Sequence, residues 1–262
     1  MKIKIGIIGG GNMGGAIVGG LCKQYVVSVC EQDKRRAAQL KRQHKIAVGG
    51  LKAVVSRSQV IILAVKPQNF DAILGEVAPL LTKDKLIVSI AAGIPCRYIE
   101  ERLGEKSRVI RTMPNLPAQV KKGITGICAG KFAKGRDVML ACKLFNCLGA
   151  TVVVREDQMD AITAASGSGP AYVFLFIESF TKAVRSLGFD EKTAEELVAR
   201  TVKGSLDLLD YRQEKATVLR ERVTSKGGTT QAAMDVFKRK GFDGILKDAL
   251  HAARRRAKEL SR

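Results

Sequence analysis

Tryptophan is absent from this sequence of 262 residues, and histidine, proline and aromatic residues are scarce, with two His, six Pro and 5% aromatics. Two histidines and six cysteines without a Cys-x-x-Cys pair offer no ligand spacing for a structural zinc site, so no metal site is predicted. The chain is nevertheless 46% hydrophobic and contains 26 glycines. This composition is typical of packed α/β layers rather than of a β-sandwich or a disordered chain.

Acidic side chains are also few: 25 Asp and Glu stand against 45 Lys and Arg, a formal net charge of +20. Such a surplus attracts anions, including nucleotides, nucleic acids and acidic membranes. The basic residues are spread along the chain with only short clusters, such as 34–36 and 254–256, and no nucleic-acid-binding motif accompanies them. The charge therefore predicts a generally cationic surface and no nucleic-acid partner.

Long apolar runs are missing as well. The nearest candidate for a membrane-spanning segment or a signal peptide is the uncharged run 5–22, which follows Lys2 and Lys4. Eight of its residues are glycine, so it would insert poorly into a membrane. We interpret it as a buried strand that leads into a glycine-rich turn. The cysteines lie mostly within apolar runs, as reduced core cysteines do. The sequence thus predicts a soluble, cytoplasmic protein without a membrane partner.

Strand-like and helical segments alternate through the first half of the chain. Strands are predicted at 2–8, 25–30, 60–64, 86–90, 109–110, 123–129 and 151–154, and helices at 14–23, 34–43, 70–81 and 138–148. Beyond residue 155 only helical periodicity continues, at 160–187, 191–210, 217–223, 231–238 and 244–260. We therefore expect an α/β domain with a mostly parallel, doubly wound sheet at 1–152 and an all-helical domain at 153–262.

The motif Gly9-Gly10-Gly11-Asn12-Met13-Gly14 matches Gly-x-Gly-x-x-Gly between the first predicted strand and the first predicted helix. Glycines in this position permit a tight turn and let backbone amides approach a pyrophosphate at the helix N-terminus. Glu31 follows the second predicted strand, where an acidic residue binds the ribose of a dinucleotide. The placement of the motif favours a dinucleotide-binding Rossmann domain over a merely structural glycine turn.

Two glycine-containing segments interrupt the helical half. Residues 166–172, Ser-Gly-Ser-Gly-Pro-Ala-Tyr, indicate either close backbone contact with a ligand or helix, or a helix N-terminus with Pro170 in its first turn. In residues 223–230, Val-Thr-Ser-Lys-Gly-Gly-Thr-Thr, hydroxyl residues flank two glycines before a helix. This second segment fits either a nest of amides for a small anion such as a carboxylate, or a Ser/Thr cap after a loop.

These segments, together with three others, resemble the pyrroline-5-carboxylate reductase family over almost the whole chain and in the family's order. The others are Ala-Val-Lys-Pro at 64–67, Ser-Ile-Ala-Ala-Gly at 89–93 and Val-Ile-Arg-Thr-Met-Pro-Asn-Leu-Pro at 109–117. The resemblance implies a Rossmann domain followed by a helical dimerisation domain, in a homodimer that often assembles further into a decamer. It also implies reduction of 1-pyrroline-5-carboxylate to proline with NADPH or NADH.

The same resemblance implies roles for particular residues. Those that would bind the cofactor are Gly9, Gly11, Asn12, Met13, Ala64, Val65, Lys66, Pro67, Ala91 and Ala92, the last two beside the nicotinamide. The glycine motif itself adds Gly14 and Glu31 to this set. Those that would bind the substrate carboxylate are Ser225, Gly228, Thr229 and Thr230, with the Thr230 hydroxyl as the catalytic group near the imine nitrogen. An imine carbon is already electrophilic, so this chemistry needs no metal, His or Lys to polarise it.

Three positions depart from common patterns of the family. Glu31 and the following Gln-Asp-Lys-Arg-Arg stand where many members carry an Asp/Ser-Arg pair that binds a 2′-phosphate, which leaves the choice between NADH and NADPH open. Lys226 replaces a common Pro and Leu116 a common Thr, and we expect both changes to be tolerated.

Two other functions fit parts of the sequence. A relative of the 3-hydroxyacid dehydrogenases would need a lysine four residues beyond the helix glycine, where this chain has Val173. A non-catalytic NAD(P)-binding redox sensor would need no substrate nest, so the 225–230 loop favours an enzyme.

Overall fold

An eight-stranded sheet forms the centre of the first part of the chain in the computed structural model, which describes residues 2–104 and 106–261. The strands are β1 (Lys4–Ile8), β2 (Val26–Cys30), β3 (Ala47–Val48), β4 (Val60–Leu63), β5 (Leu86–Ser89), β6 (Arg108–Met113), β7 (Gly123–Ala129) and β8 (Gly149–Val153). Their order is β3-β2-β1-β4-β5-β6-β7-β8, and the pairs are parallel except β6–β7. The predicted doubly wound, mostly parallel sheet is confirmed.

Helices connect the strands and then continue alone. Those of the first part are α1 (Asn12–Leu21), α2 (Lys34–His44), α3 (Leu51–Arg57), α4 (Phe70–Val77), α5 (Cys96–Leu103), α6 (Gly135–Phe145) and α7 (Met159–Ile162). After a π-helical segment at Thr163–Gly167 come α8 (Gly169–Arg185), α9 (Glu191–Arg212), α10 (Ala216–Arg222), α11 (Thr229–Arg239) and α12 (Phe242–Leu260). Among the described residues, no helix has both the length and the apolar character to cross a membrane.

The apolar core lies on both faces of the sheet. Successive side chains of a strand point to opposite faces, so Ile62 of β4 belongs to one core cluster while Ile61 and Leu63 belong to the other. Helices α1 and α6 contribute side chains to the first cluster, and α4 and α5 to the second. Burial on both faces explains why the parallel strands are continuous apolar runs rather than alternating ones.

Three elements were not predicted: β3, α3 and α5. Strand β3 has two residues, and α3 is a seven-residue helix that buries Val54 and Val55, so each is too short for a periodic signal. Helix α5 buries Cys96, Ile99, Glu100 and Leu103, which is the spacing of one helix face. Its pattern is disguised because a glutamate occupies one of the four buried positions.

Contacts divide the chain into two compact units. One contains the residues up to Ser168 together with those from Ala252 onward, and the other is Gly169–His251. The first unit extends beyond β8 because Met159 of α7 is 1% exposed and packs in the second core cluster. The predicted domain boundary between residues 152 and 153 lies where the strand signals of the sequence stop. The two compact units are defined by contacts instead, so the predicted boundary stays a prediction.

The second unit buries few of its own apolar side chains. Ala194 and Val198 of α9 are buried, whereas large side chains such as Phe174, Leu175 and Tyr211 are 58%, 61% and 81% exposed. In α8 the four consecutive residues 173–176 are all apolar and 44–61% exposed, and exposed apolar side chains grouped in this way mark an interaction site. The helices of this unit therefore present a surface suited to another protein surface.

The buried ion pair between Arg108 of β6 and Asp137 of α6 should contribute strongly to stability. Arg108 Nη1 lies 2.7 Å from Asp137 Oδ1, and Asp137 Oδ2 accepts a 2.9 Å hydrogen bond from the Lys134 amide. Asp137→Ala removes the counter-charge of a guanidinium that is only 15% exposed, and it also removes the acceptor of the Lys134 amide. We therefore expect it to lower the free energy of unfolding by about 3 kcal/mol. Urea denaturation followed by circular dichroism measures this.

The exposed pair of Arg97 and Glu101 on α5 supplies the matched control. Exposed ion pairs contribute little, so Glu101→Ala should leave the urea midpoint almost unchanged. Equal losses in the two variants would contradict the importance assigned to burial of the Arg108–Asp137 pair.

Candidate functional site

The predicted cofactor residues of the first unit meet at one edge of the sheet. Strands β2, β1, β4 and β5 are neighbours and parallel, so their carboxyl ends lie at the same edge. Gly9, Glu31, Ala64 and Ala91 each follow one of these four strands. The strand order reverses between β1 and β4, and such a switch point is where open α/β sheets bind ligands.

The turn after β1 requires glycine at two positions and leaves the third open. Gly9 has φ +100°, and a Cβ there would lie 2.5 Å from the Ala64 carbonyl oxygen. A Cβ on Gly14 would overlap the Gly9 carbonyl oxygen, whereas one on Gly11 would meet no atom within 4 Å. Gly9 and Gly14 thus serve packing, and the space at Gly11, the residue before α1, fits a pyrophosphate bound by backbone amides.

Glu31 is fixed against this turn. Its Oε2 accepts a 2.6 Å hydrogen bond from the Gly10 amide, and its Oε1 accepts a 2.8 Å hydrogen bond from the Asp33 amide. The side chain is 9% exposed, and Arg36 Nη1 lies 3.8 Å from Oε2. The carboxylate is therefore held at the end of β2 beside the glycine turn, with a guanidinium at the distance of a weak ion pair.

Cys30, the last residue of β2, adds no charge to this region. Partial burial, followed by the negative charges of Glu31 and Glu76, raises the pKa of the Cys30 thiol, so the side chain stays neutral. Its carbonyl oxygen accepts a 2.8 Å hydrogen bond from the Gly9 amide, which links the end of β2 to the turn after β1.

The segments after β4 and β5 complete the edge. The Ala64 amide donates a 2.8 Å hydrogen bond to the Ile8 carbonyl oxygen, and Lys66 and Pro67 are exposed beyond it. Ala91 is 4% exposed, and its amide donates a 3.2 Å hydrogen bond to Ser89 Oγ. The structure thus brings the predicted cofactor residues of the four strand ends together.

Two supporting residues were missed from the sequence. Ser89 and Thr112 are fully buried, and Thr112 Oγ1 donates a 2.9 Å hydrogen bond to the Ser89 carbonyl oxygen while Ser89 Oγ accepts from the Ala91 amide. These bonds fix the loop that carries Ala91. The available signal was a polar residue at the end of an otherwise apolar strand, which normally requires a buried hydrogen-bond partner.

A cavity of about 470 Å³ is lined by α1, α2 and the segment 118–121, and it reaches the glycine turn. Gly15 and Gly19 of α1 and Gly11 before it line one side, and Arg36 and Lys121 contribute positive charge. The glycines make room because they place no side chains on this face of the helix. The sequence analysis did not predict this cavity.

The predicted substrate loop belongs to the second unit and leads into α11. Gly227 has φ +74°, and the Gly228 amide donates a 3.0 Å hydrogen bond to the Ser225 carbonyl oxygen, which closes a tight turn. Gly228 is the residue before the helix and has no side chain to cap it. The first helical amides, including those of Thr229 and Thr230, therefore point outward without an intrahelical acceptor and can bind an anion.

The segment 166–172 forms the helix N-terminus considered for it, and its close contact is with a side chain of strand β6 rather than with a ligand or another helix. A Cβ on Gly167, in the π-helical segment, would lie 2.6 Å from Met113 Cε, so this glycine permits a close contact. Helix α8 then begins at Gly169 with Pro170 in its first turn. A π-helical insertion is frequent at functional sites.

Two protein families match this chain, one in its first part and one in its helical part. A family described as NADP oxidoreductase, coenzyme F420-dependent, matches residues 4–93, which contain the glycine turn and the predicted nicotinamide segment. A family described as pyrroline-5-carboxylate reductase dimerisation matches residues 156–260, which contain the 225–230 loop and the exposed apolar helices. The dimerisation match agrees with self-association through the helical part of the chain.

Individual proteins match over the full length. Pyrroline-5-carboxylate reductase of Pseudomonas aeruginosa is 37% identical, with 98% of this chain and 97% of that protein covered, and that of Methanosarcina acetivorans is 36% identical, with 99% and 98% covered. The solved structure of the Coxiella burnetii enzyme has a TM-score of 0.94 at 35% identity and covers all of both chains.

A further solved structure carries a cofactor. Pyrroline carboxylate reductase of Plasmodium falciparum, crystallised with NADP bound, has a TM-score of 0.87 at 27% identity, with 99% of this chain and 98% of that chain covered. With this agreement in sequence and fold over its whole length, the chain belongs to the pyrroline-5-carboxylate reductase family.

Proposed function

We propose that this protein reduces 1-pyrroline-5-carboxylate to L-proline by hydride transfer from NADPH or NADH, the final step of proline biosynthesis. The observation that carries the proposal is full-length membership of the reductase family, with 36–37% sequence identity to two enzymes of that name. The open glycine turn and the 225–230 loop supply the two binding functions that such a reaction needs. The proposed reaction contains no metal-dependent step.

The first unit binds the cofactor in this proposal. The amides at the start of α1, around Gly11, Asn12 and Met13, hold the pyrophosphate, and Gly9 and Gly14 let the turn close. Glu31 lies on the ribose side, and the segments Ala64–Pro67 and Ala91–Ala92 line the remainder of the cofactor cleft. When bound, NAD(P)H supplies the hydride that reduces the imine carbon.

The second unit binds the substrate. The substrate carboxylate accepts hydrogen bonds from the amides at the start of α11 and from the hydroxyls of Ser225 and Thr229. The positive end of the helix dipole adds to the attraction. The Thr230 hydroxyl lies at the ring nitrogen, where it donates a hydrogen bond to the lone pair of the neutral imine or accepts one from the N–H of the protonated imine. Either bond favours the approach of a hydride to the adjacent carbon. Holding both reactants in this way supplies most of what the reaction requires, because a protonated imine is itself electrophilic.

The assay that tests the function is NADH and NADPH oxidation with 1-pyrroline-5-carboxylate, run side by side, with proline identified as the product. We expect oxidation that depends on substrate and forms one proline per cofactor oxidised. A parallel reaction in the reverse direction with 3-hydroxyacids and NAD(P)⁺ tests the dehydrogenase alternative. Absence of proline with both cofactors would overturn the proposal.

We extend the proposal to location and assembly. The six cysteines are free, which suits a reducing cytoplasm. The exposed apolar side chains of α8 and α9 suit a homodimer, and dimers of this family are expected to associate further into a decamer. No nucleic-acid or membrane partner is proposed, since the positive charge is dispersed along the chain.

Substituting Gly11 separates cofactor binding from folding. Because a Cβ there meets nothing within 4 Å and the φ of −62° suits alanine, Gly11→Ala should keep the melting temperature but raise the KM for NAD(P)H by roughly tenfold or more, as the methyl group occupies the pyrophosphate space. Gly75→Ala, at an equally open helical position of α4, is the control. An unchanged KM in Gly11→Ala would show that the pyrophosphate does not bind at this turn.

Substituting Thr230 tests the catalytic assignment. Loss of a hydrogen bond at a reacting centre costs about 2–4 kcal/mol of transition-state stabilisation, so Thr230→Ala should lower kcat by roughly thirtyfold or more while the Kd for NAD(P)H changes little. Thr217→Ala, on the exposed surface of α10, should leave both parameters unchanged. Near-full turnover in Thr230→Ala would remove this hydroxyl from the mechanism.

Substituting Glu31 tests cofactor choice. Its carboxylate repels a 2′-phosphate, whereas Arg36 attracts one. We expect the wild type to use both cofactors within roughly a hundredfold of each other, since one like-charge contact costs only a few kcal/mol. Glu31→Ser should shift the ratio of kcat/KM values toward NADPH. If that ratio does not move, Glu31 does not contact the ribose.

A further inference from the structure

A buried cluster of metal-binding groups lies in the first unit, apart from the groups assigned to the reaction. The sulfur atoms of Cys96 and Cys128 and a carboxylate oxygen of Glu156 all lie within 4.8 Å of one another. Both cysteines are 1% exposed, and Glu156 is partly exposed, so the group can be reached from one side. These residues are far apart in the chain, which is why the sequence shows no ligand spacing.

The fold holds the three groups in place before any ion binds. Cys128 lies on β7 opposite Arg111 of β6, and Cys96 is the first residue of α5. The Cys96 amide donates a 2.6 Å hydrogen bond to Glu156 Oε1, which ties the segment after β8 to the start of α5. Preorganised donors on helix and strand are what a metal site requires, since little ordering remains for the ion to impose.

A fourth acid group stands beside the cluster. Glu100 is one helical turn after Cys96 and is 7% exposed. The backbone amides of Lys131 and Phe132 hydrogen-bond its carboxylate, but its Oε1 has no hydrogen-bond partner among the described residues. This oxygen and Cys96 Cβ both lie against Gly130, where the lack of a side chain leaves room for them. A buried carboxylate oxygen without a partner is unusual in folded proteins, and an unfilled ion site is one explanation of it.

We propose that Cys96, Cys128 and Glu156 bind one Zn²⁺ or a similar thiophilic divalent cation, with Glu100 turning inward as the fourth ligand. Two thiolates and carboxylate oxygens form a donor set that zinc accepts, at about 2.3 Å from sulfur and 2.0–2.2 Å from oxygen. Sulfur ligands disfavour Mg²⁺ and Ca²⁺, which take oxygen. The site goes beyond the proposed reduction, which needs no metal.

The negative charge of the proposed ligands favours binding of a cation even though the Arg111 guanidinium lies nearby. The Arg111 guanidinium is 5% exposed and lies 3.6 Å from Glu156 Oε1 and 3.5 Å from Asp160 Oδ1. Two thiolates and two carboxylates outweigh the charge of one divalent ion, and Arg111 offsets part of the remaining negative charge. Cys96 follows closely on Ala91 and Ala92, so a bound ion would also restrain the loop predicted to contact the nicotinamide.

The test is a Cd²⁺ titration of the full-length, chelator-treated and reduced protein, followed by thiolate-to-metal charge-transfer absorption. We expect one Cd²⁺ per chain, displacement by Zn²⁺, and a higher melting temperature with either ion. Cys96→Ser and Cys128→Ser should each weaken binding by about a hundredfold or more and abolish most of the absorption. Cys147→Ser, whose thiol lies outside the cluster, should bind as the wild type does.

Glu156→Gln keeps the test valid if a cysteine variant fails to fold, because the amide oxygen still accepts from the Cys96 amide. We expect this variant to fold and to bind Cd²⁺ more weakly. Absence of saturable binding by the wild type would overturn the proposal, as would wild-type binding in folded Cys96→Ser, Cys128→Ser or Glu156→Gln. In each of these outcomes the reductase assay is unaffected, so the two proposals fail separately.

Discussion

Burial of apolar side chains is the constraint on which the rest of this structure depends, and the two units meet it differently. In the first unit both faces of a parallel sheet are covered by helices, and side chains such as Ile62 and Phe70 are fully buried. In the second unit Ala194 and Val198 are buried, while Phe174 and Leu175 face solvent. The hydrophobic effect scales with the apolar area removed from water, so the second unit gains its full stability only against another surface.

The same constraint positions the cofactor edge. Close packing of α1 against the turn after β1 requires glycine at Gly9 and Gly14, and this packing aims the open amides at the start of α1 toward the switch point. Glu31, Ala64 and Ala91 reach that edge because the strands that precede them are parallel neighbours. The site is thus a consequence of the sheet order rather than of any one residue.

Much of this could be predicted from the sequence, because strand runs such as 123–129 and the glycine motif are local patterns. The prediction failed where local pattern is weak: β3 and α3 are too short, and the buried Glu100 disguises α5. It also could not find contacts between distant residues. Three such contacts depend on the order of the strands in the sheet, which the spacing of residues in the sequence does not reveal. They are the hydrogen bond from the Gly10 amide to the Glu31 carboxylate, the bond from Thr112 to Ser89, and the cluster of Cys96, Cys128 and Glu156.

Light scattering across a concentration series tests most directly whether the helical unit is completed by a second copy of the chain. The chain mass is 28.3 kDa, and because exposed apolar helices should pair, we predict a mass of at least two chains throughout the micromolar range. Replacing Leu175 with Asp should lower that mass, since a charge in an apolar interface is unfavourable. A wild-type protein that scatters as a single chain at micromolar concentration, with its melting temperature independent of concentration, would contradict this account.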